Sequence, residues 1–268
     1  MSISALLDKV SAILRRDLLT SMRYRTGFLL GAAGALAELA AFYYLSRAIG
    51  SGFHPEGIEY FPFLLVGTGF YTFLVMGINS FLTAVQEAQQ AGTLEVVLTT
   101  STPPAVLVCL SALSAFAGSA VNLFLYLVVG LILFGAPLHP NLAGCLAVFA
   151  LSVAVAVSIG ILSAALQLAI QKGTAVVWLL ASGVWFLTGT MFPVTALPKF
   201  LRNLSELIPI THSLNGMRLA LLKHAPFSVL SHDIAVLGVT SLFLLPLSLI
   251  VFSWTLRRAK LEGTLSFY

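Results

Sequence analysis

Leu142 to Ile170 reads LAGCLAVFALSVAVAVSIGILSAALQLAI, without one charged side chain. A helix rises about 1.5 Å per residue, so about 20 apolar residues cross the hydrocarbon layer of a bilayer. This stretch exceeds that length and is too long for a barrel strand. Backbone groups in lipid must be satisfied within the segment, which leaves the α-helix. Working outward, runs of the same kind occupy Phe28 to Leu45, Phe61 to Val85, Ala105 to Phe134, Thr174 to Phe192 and Ile234 to Leu256. The expectation is an all-α membrane protein with six transmembrane helices, forming one domain over residues 26–268 after an amino-terminal segment, 1–25.

Composition agrees. Hydrophobic residues make up 59% of the 268 and charged residues only 9%, where an ordinary soluble domain carries about 25% charged residues. A mean hydropathy of +0.99 implies more apolar surface than a water-exposed shell covers, which excludes a soluble enzyme. The formal charge of +4 comes in short clusters between apolar runs, the pattern of topology signals, and nucleic acid is excluded as a partner. Cys109 and Cys145 fall inside apolar runs and make no disulfide or metal pattern, and the histidines lack H-x3-H or HExxH spacing, so no metal is assigned. Ala35-Leu36-Ala37 has signal-cleavage character, but the run continues to Leu45, so the first span is read as uncleaved.

Lys9, Arg15, Arg16, Arg23 and Arg25 precede the first run, Lys172 lies in the fourth connection, and Arg257, Arg258 and Lys260 follow the last run. The positive-inside rule then places both termini in the cytoplasm, with Arg47, Lys199, Arg202, Arg218 and Lys223 outside. The expected site is the cell's inner (plasma) membrane, in contact with membrane lipid. Within Ile3 to Ser21, Ile3, Leu6, Leu7, Val10, Ile13, Leu14 and Leu18 recur at helical spacing opposite Asp8, Lys9, Arg15 and Arg16. This predicts an amphipathic helix on the inner membrane face, as an interfacial anchor or as a partner-docking element.

Two connections depart from simple turns. Gln86 to Pro104, QEAQQAGTLEVVLTTSTPP, is cytoplasmic by parity yet contains no Lys or Arg. Val85, Ala88, Leu94, Val97 and Leu98 form a short apolar stripe, with Glu87 and Glu95 turned to water, and Pro103-Pro104 ends the segment. A short helix across the inner surface, about residues 87–99, is expected, either as a lever for a soluble partner or as a solvated helical turn. The fifth connection, about 193–231, holds apolar stretches too short to span, Phe200 to Ile210 and Leu214 to Leu222. Short re-entrant helices at the outer side are expected there, since irregular backbone at membrane depth needs protein or water around it.

These connections carry a resemblance. Glu87, Gly92, Thr93, Leu94, Glu95 and Leu98, followed by Pro103, resemble the E-x4-GTLE-x2-L coupling helix of the type-2 export (ABC-2 type) permeases of ABC transporters. Gly189, Phe192, Pro193, Leu197, Pro198, Leu204, Pro209 and Arg218 resemble that family's G-x2-FP-x3-LP-x5-L-x4-P run after the fifth span. The resemblance covers nearly the whole chain. It implies a six-span permease that pairs with a second copy or a paralogue, binds two copies of a separate ATP-binding subunit at its inner face, and exports a cargo between the two permeases. The chain contains no Gly-Lys dipeptide, hence no phosphate-binding G-x4-GK-[ST] loop. ATP and Mg are therefore expected on the partner ATPase, with no cofactor on this chain and no enzyme activity of its own.

Glu38 falls midway along the first run, where a carboxylate needs water, protein or a proton. It is a candidate pathway residue that contacts a cationic cargo or pairs with Asn79, Asn122 or Gln167. Gln167 and Gln171, one helical turn apart, either line the inner entrance or bond between helices. Lys199 with Arg202, and Arg218 with Lys223, are read as solvated or headgroup-facing charge, or as contacts for a departing anion. Gly31, Gly34, Gly67, Gly69 and Gly118 are read as sites of close helix approach. An ATP-independent secondary transporter or channel remains the alternative, disfavoured because Glu38 is the single ionisable residue at clear depth. The cargo, whether drug, lipid, polysaccharide or peptide, is not written in apolar spans.

Overall fold

A computed structural model describes residues 25–50, 52–90, 104–170 and 182–262. Among these residues the secondary structure is helical: α1 (Arg25–Ile49), α2 (Tyr60–Gln90), α3 (Pro104–Phe134), α4 (Leu142–Ile170), α5 (Lys199–Glu206), α6 (Pro209–Leu222) and α7 (Phe227–Glu262), with a further helical piece at 182–187. Five helices, α1, α2, α3, α4 and α7, are long and apolar enough to cross a membrane. The expected fifth span falls partly outside the described residues, which begin again at 182.

Helix ends follow local chemistry. Gly135, at φ 68°, stops α3: its N–H reaches the Leu131 carbonyl, and the Ala136 N–H reaches that of Gly130. Asn141 opens α4, its side-chain oxygen accepting from the Gly144 N–H at 3.3 Å while its amide donates to the Ala225 carbonyl at 2.8 Å. One side chain thus caps α4 and ties it to the chain leaving α6. The Asn141 and His139 N–H groups add bonds to the Ala220 and Leu221 carbonyls.

α2 is the hub, packing against α1, α3, α4 and α6, while α7 closes against α4 and α6. Its apolar stretch is 83% buried, against 11% for those of α1 and α7. Between α2, α3 and α4 lies an aromatic cluster in which Phe73 stacks on Phe149 at 5.2 Å and meets Phe116 edge-on at 5.3 Å. Apolar side chains on the outer faces of α1, α3 and α7 stay uncovered, among them Leu30, Phe124, Ile132, Leu242, Phe243 and Ile250. In water such a surface would aggregate; against lipid chains it is matched. The short helices α5 and α6 sit at the end of the bundle where α2 begins and α3 finishes, called the capped end below.

Candidate functional site

At the capped end the chain leaves the 182–187 helix through a tight turn at Gly189, whose φ of 71° suits glycine. A Cβ there would meet the Val194 side chain at 2.7 Å. Pro193 then precedes a single 3-10 turn, Val194–Ala196, Pro198 precedes α5, and Pro209 occupies the first turn of α6. Each proline stands where an N–H has no helical partner to lose. Leu197 is buried beneath the turn, and Phe192 meets Phe186 edge-on at 5.3 Å. The Ser205 hydroxyl donates to the Leu187 carbonyl at 2.7 Å, fastening α5 to the helix before it.

Arg218 joins these parts. Its guanidinium donates to the carbonyls of Phe63 at 3.2 Å, Gly189 at 2.9 Å and Thr190 at 2.8 Å, and lies 3.5 Å above the Phe63 ring. The planar fork serves three acceptors and a ring face at once, which an ammonium does not do. Gly67 makes the space, since a Cβ at that position would overlap the guanidinium. Burial brings the Arg218 pKa down to about 9, which still leaves it charged near neutral pH. The reading of Arg218 as solvent- or headgroup-facing charge is therefore corrected: it is 3% exposed and latches α2, α6 and the turn after 182–187 together. A sequence signal existed, because Leu214, Arg218 and Leu222 are one turn apart and both leucines are buried. Of the motif residues, Gly189, Phe192, Pro193, Leu197, Pro198, Pro209 and Arg218 thus assemble around one end, while Leu204 faces outward.

Beside the latch is a polar cluster that spacing did not announce. His212 lies between the Asp233 carboxylate, 2.8 Å from Nδ1, and the Glu206 carbonyl, 3.0 Å from Nε2. Both neighbours are acceptors, so both bonds exist only when both ring nitrogens carry protons. The hydrogen bond to Asp233 accordingly raises the His212 pKa, against the lowering effect of burial. Asn215, one turn along α6, donates to the other Asp233 oxygen at 2.8 Å. His212 and Asn215 share a helix face, but their partner arrives 21 and 18 residues later from α7, a pairing that tertiary packing alone creates.

The other candidates separate. Gln167 does not meet Glu38; it donates to Gln89 of α2 at 3.4 Å, both side chains buried toward the end opposite the cap. Glu38 instead lines a cavity of about 500 Å³ between α1, α2 and α3, shared with Asn122, Tyr126, Thr72 and Phe73. Glu87 is exposed in the last turns of α2, which runs unbroken to Gln90; the expected surface helix thus begins, as far as it is described, as a continuation of the second span. Gly92, Thr93, Leu94, Glu95, Leu98, Gln171 and the amphipathic segment Ile3 to Ser21 lie outside the described residues.

A family model described as ABC-2 type transporter matches residues 8–222. The matched range contains both motifs, Glu87 to Leu98 and Gly189 to Arg218, and ends at the last residue of α6. No curated protein matches the chain.

Proposed function

The chain belongs to the ABC-2 type transporter family, and from that premise we propose that this multi-pass membrane protein is the permease subunit of an ATP-driven exporter. In this reading it forms half of a translocation pathway with a second permease copy or paralogue, and couples to two copies of a separate ATP-binding subunit. The carrying observation is the family match, which includes the Glu87 to Leu98 motif.

The geometry supplies a physical route for coupling. α2 has 31 residues, a rod of about 45 Å. One end leads into the segment 91–103; the other, at Phe63 and Gly67, is gripped by Arg218. Partner ATPases that close on ATP would push the 87–99 segment, and a rigid α2 would carry the displacement to the capped end. Six spans are proposed, the fifth ending at 187, short of the Phe192 expected from apolarity because the chain turns at Gly189, with α5 and α6 as a re-entrant cap on the outer side and both termini cytoplasmic in the inner (plasma) membrane. Domain limits of 1–25 and 26–268 belong to the same proposal.

The test is a mild-detergent pull-down of the tagged chain from its native host, with mass spectrometry of partners and ATP hydrolysis assayed on wild type and Glu95→Ala. The expected result is a stoichiometric ATPase whose retention or coupling falls in the variant. Loss of every ATPase under conditions that preserve a control transporter complex would overturn the reading in favour of an autonomous transporter or channel.

A further inference from the structure

The cavity between α1, α2 and α3 combines features that the capped end does not use. Glu38 stands midway along the apolar stretch of α1, Leu29–Ile49, and is exposed to the cavity it lines. Among the described residues no Lys, Arg or His lines that cavity, and none pairs as a cation with Glu38. The Tyr126 hydroxyl, on the facing helix, is buried and finds no hydrogen-bond partner among the described residues. Asn122, one turn earlier on α3, adds an amide, while Phe73 and Met76 from α2 make an apolar wall. On the α1 side Gly31 and Gly34 leave the space open: a Cβ at either would meet nothing within 4 Å.

An isolated carboxylate at mid-span depth is costly and asks for a counter-charge. The walls offer one negative group, a few polar atoms and otherwise apolar surface, in a volume suited to a drug-sized molecule. We propose that this cavity binds an apolar organic monocation, with Glu38 as its counter-ion and Asn122 and Tyr126 as polar contacts. The inference rests on the exporter reading only in taking such a cation as cargo; the binding itself needs no ATPase.

The experiment uses the full chain, purified in dodecyl maltoside, and equilibrium binding of radiolabelled tetraphenylphosphonium. Tetraphenylborate, nearly the same shape with opposite charge, is the competitor. Saturable phosphonium binding is expected, with Glu38→Gln weakening it about tenfold or more and tetraphenylborate failing to compete. Gly34→Leu, which fills the cavity and leaves the carboxylate in place, is expected to abolish binding; it serves also if Glu38→Gln does not fold. Equal phosphonium affinity in wild type and either folded variant, effective competition by the borate, or no saturable binding would overturn the proposal. Displacement by phosphatidylethanolamine but not by phosphatidylglycerol would assign the cavity to a lipid ammonium headgroup and overturn the cargo assignment. Binding that depends on Glu38 in a chain that retains no ATPase would sink the exporter reading alone; ATPase retention without such binding would sink this inference alone.

Discussion

Arg218 and His212 are charged or chargeable side chains that the fold takes out of water at one end of a lipid-facing bundle. Removing the first leaves three buried carbonyls without their donor, so Arg218→Ala is expected to cost about 3 kcal/mol or more. In a melt of the detergent-solubilised chain that is a fall of roughly 6–12 °C. Arg218→Lys should recover only a minor part of it, since one ammonium does not reproduce the fork and the ring contact. An unchanged melting temperature in Arg218→Ala would refute the latch. For His212 the sign follows from the raised folded pKa: its stabilising contribution is complete below the ordinary value of 6.5 and is lost as pH rises through the raised value. Melting temperature is accordingly expected to fall as pH rises above 6.5, with Asp233→Asn removing most of that slope. Arg218 was legible as a hydrophobic-face residue through Leu214 and Leu222, whereas the His212–Asp233 pair required α6 and α7 to be placed side by side.

Among the elements, α4 begins at the residue the apolar run predicted, Leu142, because Asn141 supplies a local cap there, and it is helical through Ile170. α7 runs from Phe227 to Glu262, longer at both ends than the apolar run from Ile234 to Leu256. Apolarity marks where a helix meets lipid, and Ser231, His232 and Asp233 extend it beyond that boundary, Asp233 being buried on His212. The α2–α3 contact makes a further prediction. A Cβ at Gly77 would overlap the Phe116 ring, whereas one at Gly118 meets nothing within 4 Å. Gly77→Ala is therefore expected to destabilise the chain by about 1–3 kcal/mol and Gly118→Ala to leave it unchanged or slightly more stable. Equal melting temperatures for the two variants would show that α2 and α3 are not packed this closely.

At the scale of the molecule, a heavily buried α2 packs against α1, α3, α4 and α6, and the outer faces of α1, α3 and α7 present apolar side chains to lipid. The proposed orientation puts α5 and α6 on the outer side, and Asn203 of α5 is exposed. With Cys109 and Cys145 replaced by Ala, Asn203→Cys should react with a membrane-impermeant maleimide added to intact cells with a permeabilised outer barrier but a sealed inner membrane. Labelling that appears only after the inner membrane is broken would invert the topology.

What residues 1–268 determined unaided was what apolarity and local spacing encode: helices of bilayer length, the proline break before the third, and the family carried by the Glu87 to Leu98 and Gly189 to Arg218 patterns. Those signals are local, set by transfer of side chains to lipid and by backbone hydrogen bonds within each helix. The tertiary structure decided which polar side chains share an address. Gln167 faces Gln89 rather than Glu38, Arg218 turns inward on Phe63, and Glu38 opens on a cavity with Asn122 and Tyr126. In lipid the helices have no hydrophobic driving force to choose their neighbours, so the choice falls to close packing at glycines and to long-range hydrogen bonds, neither of which periodicity along one helix records.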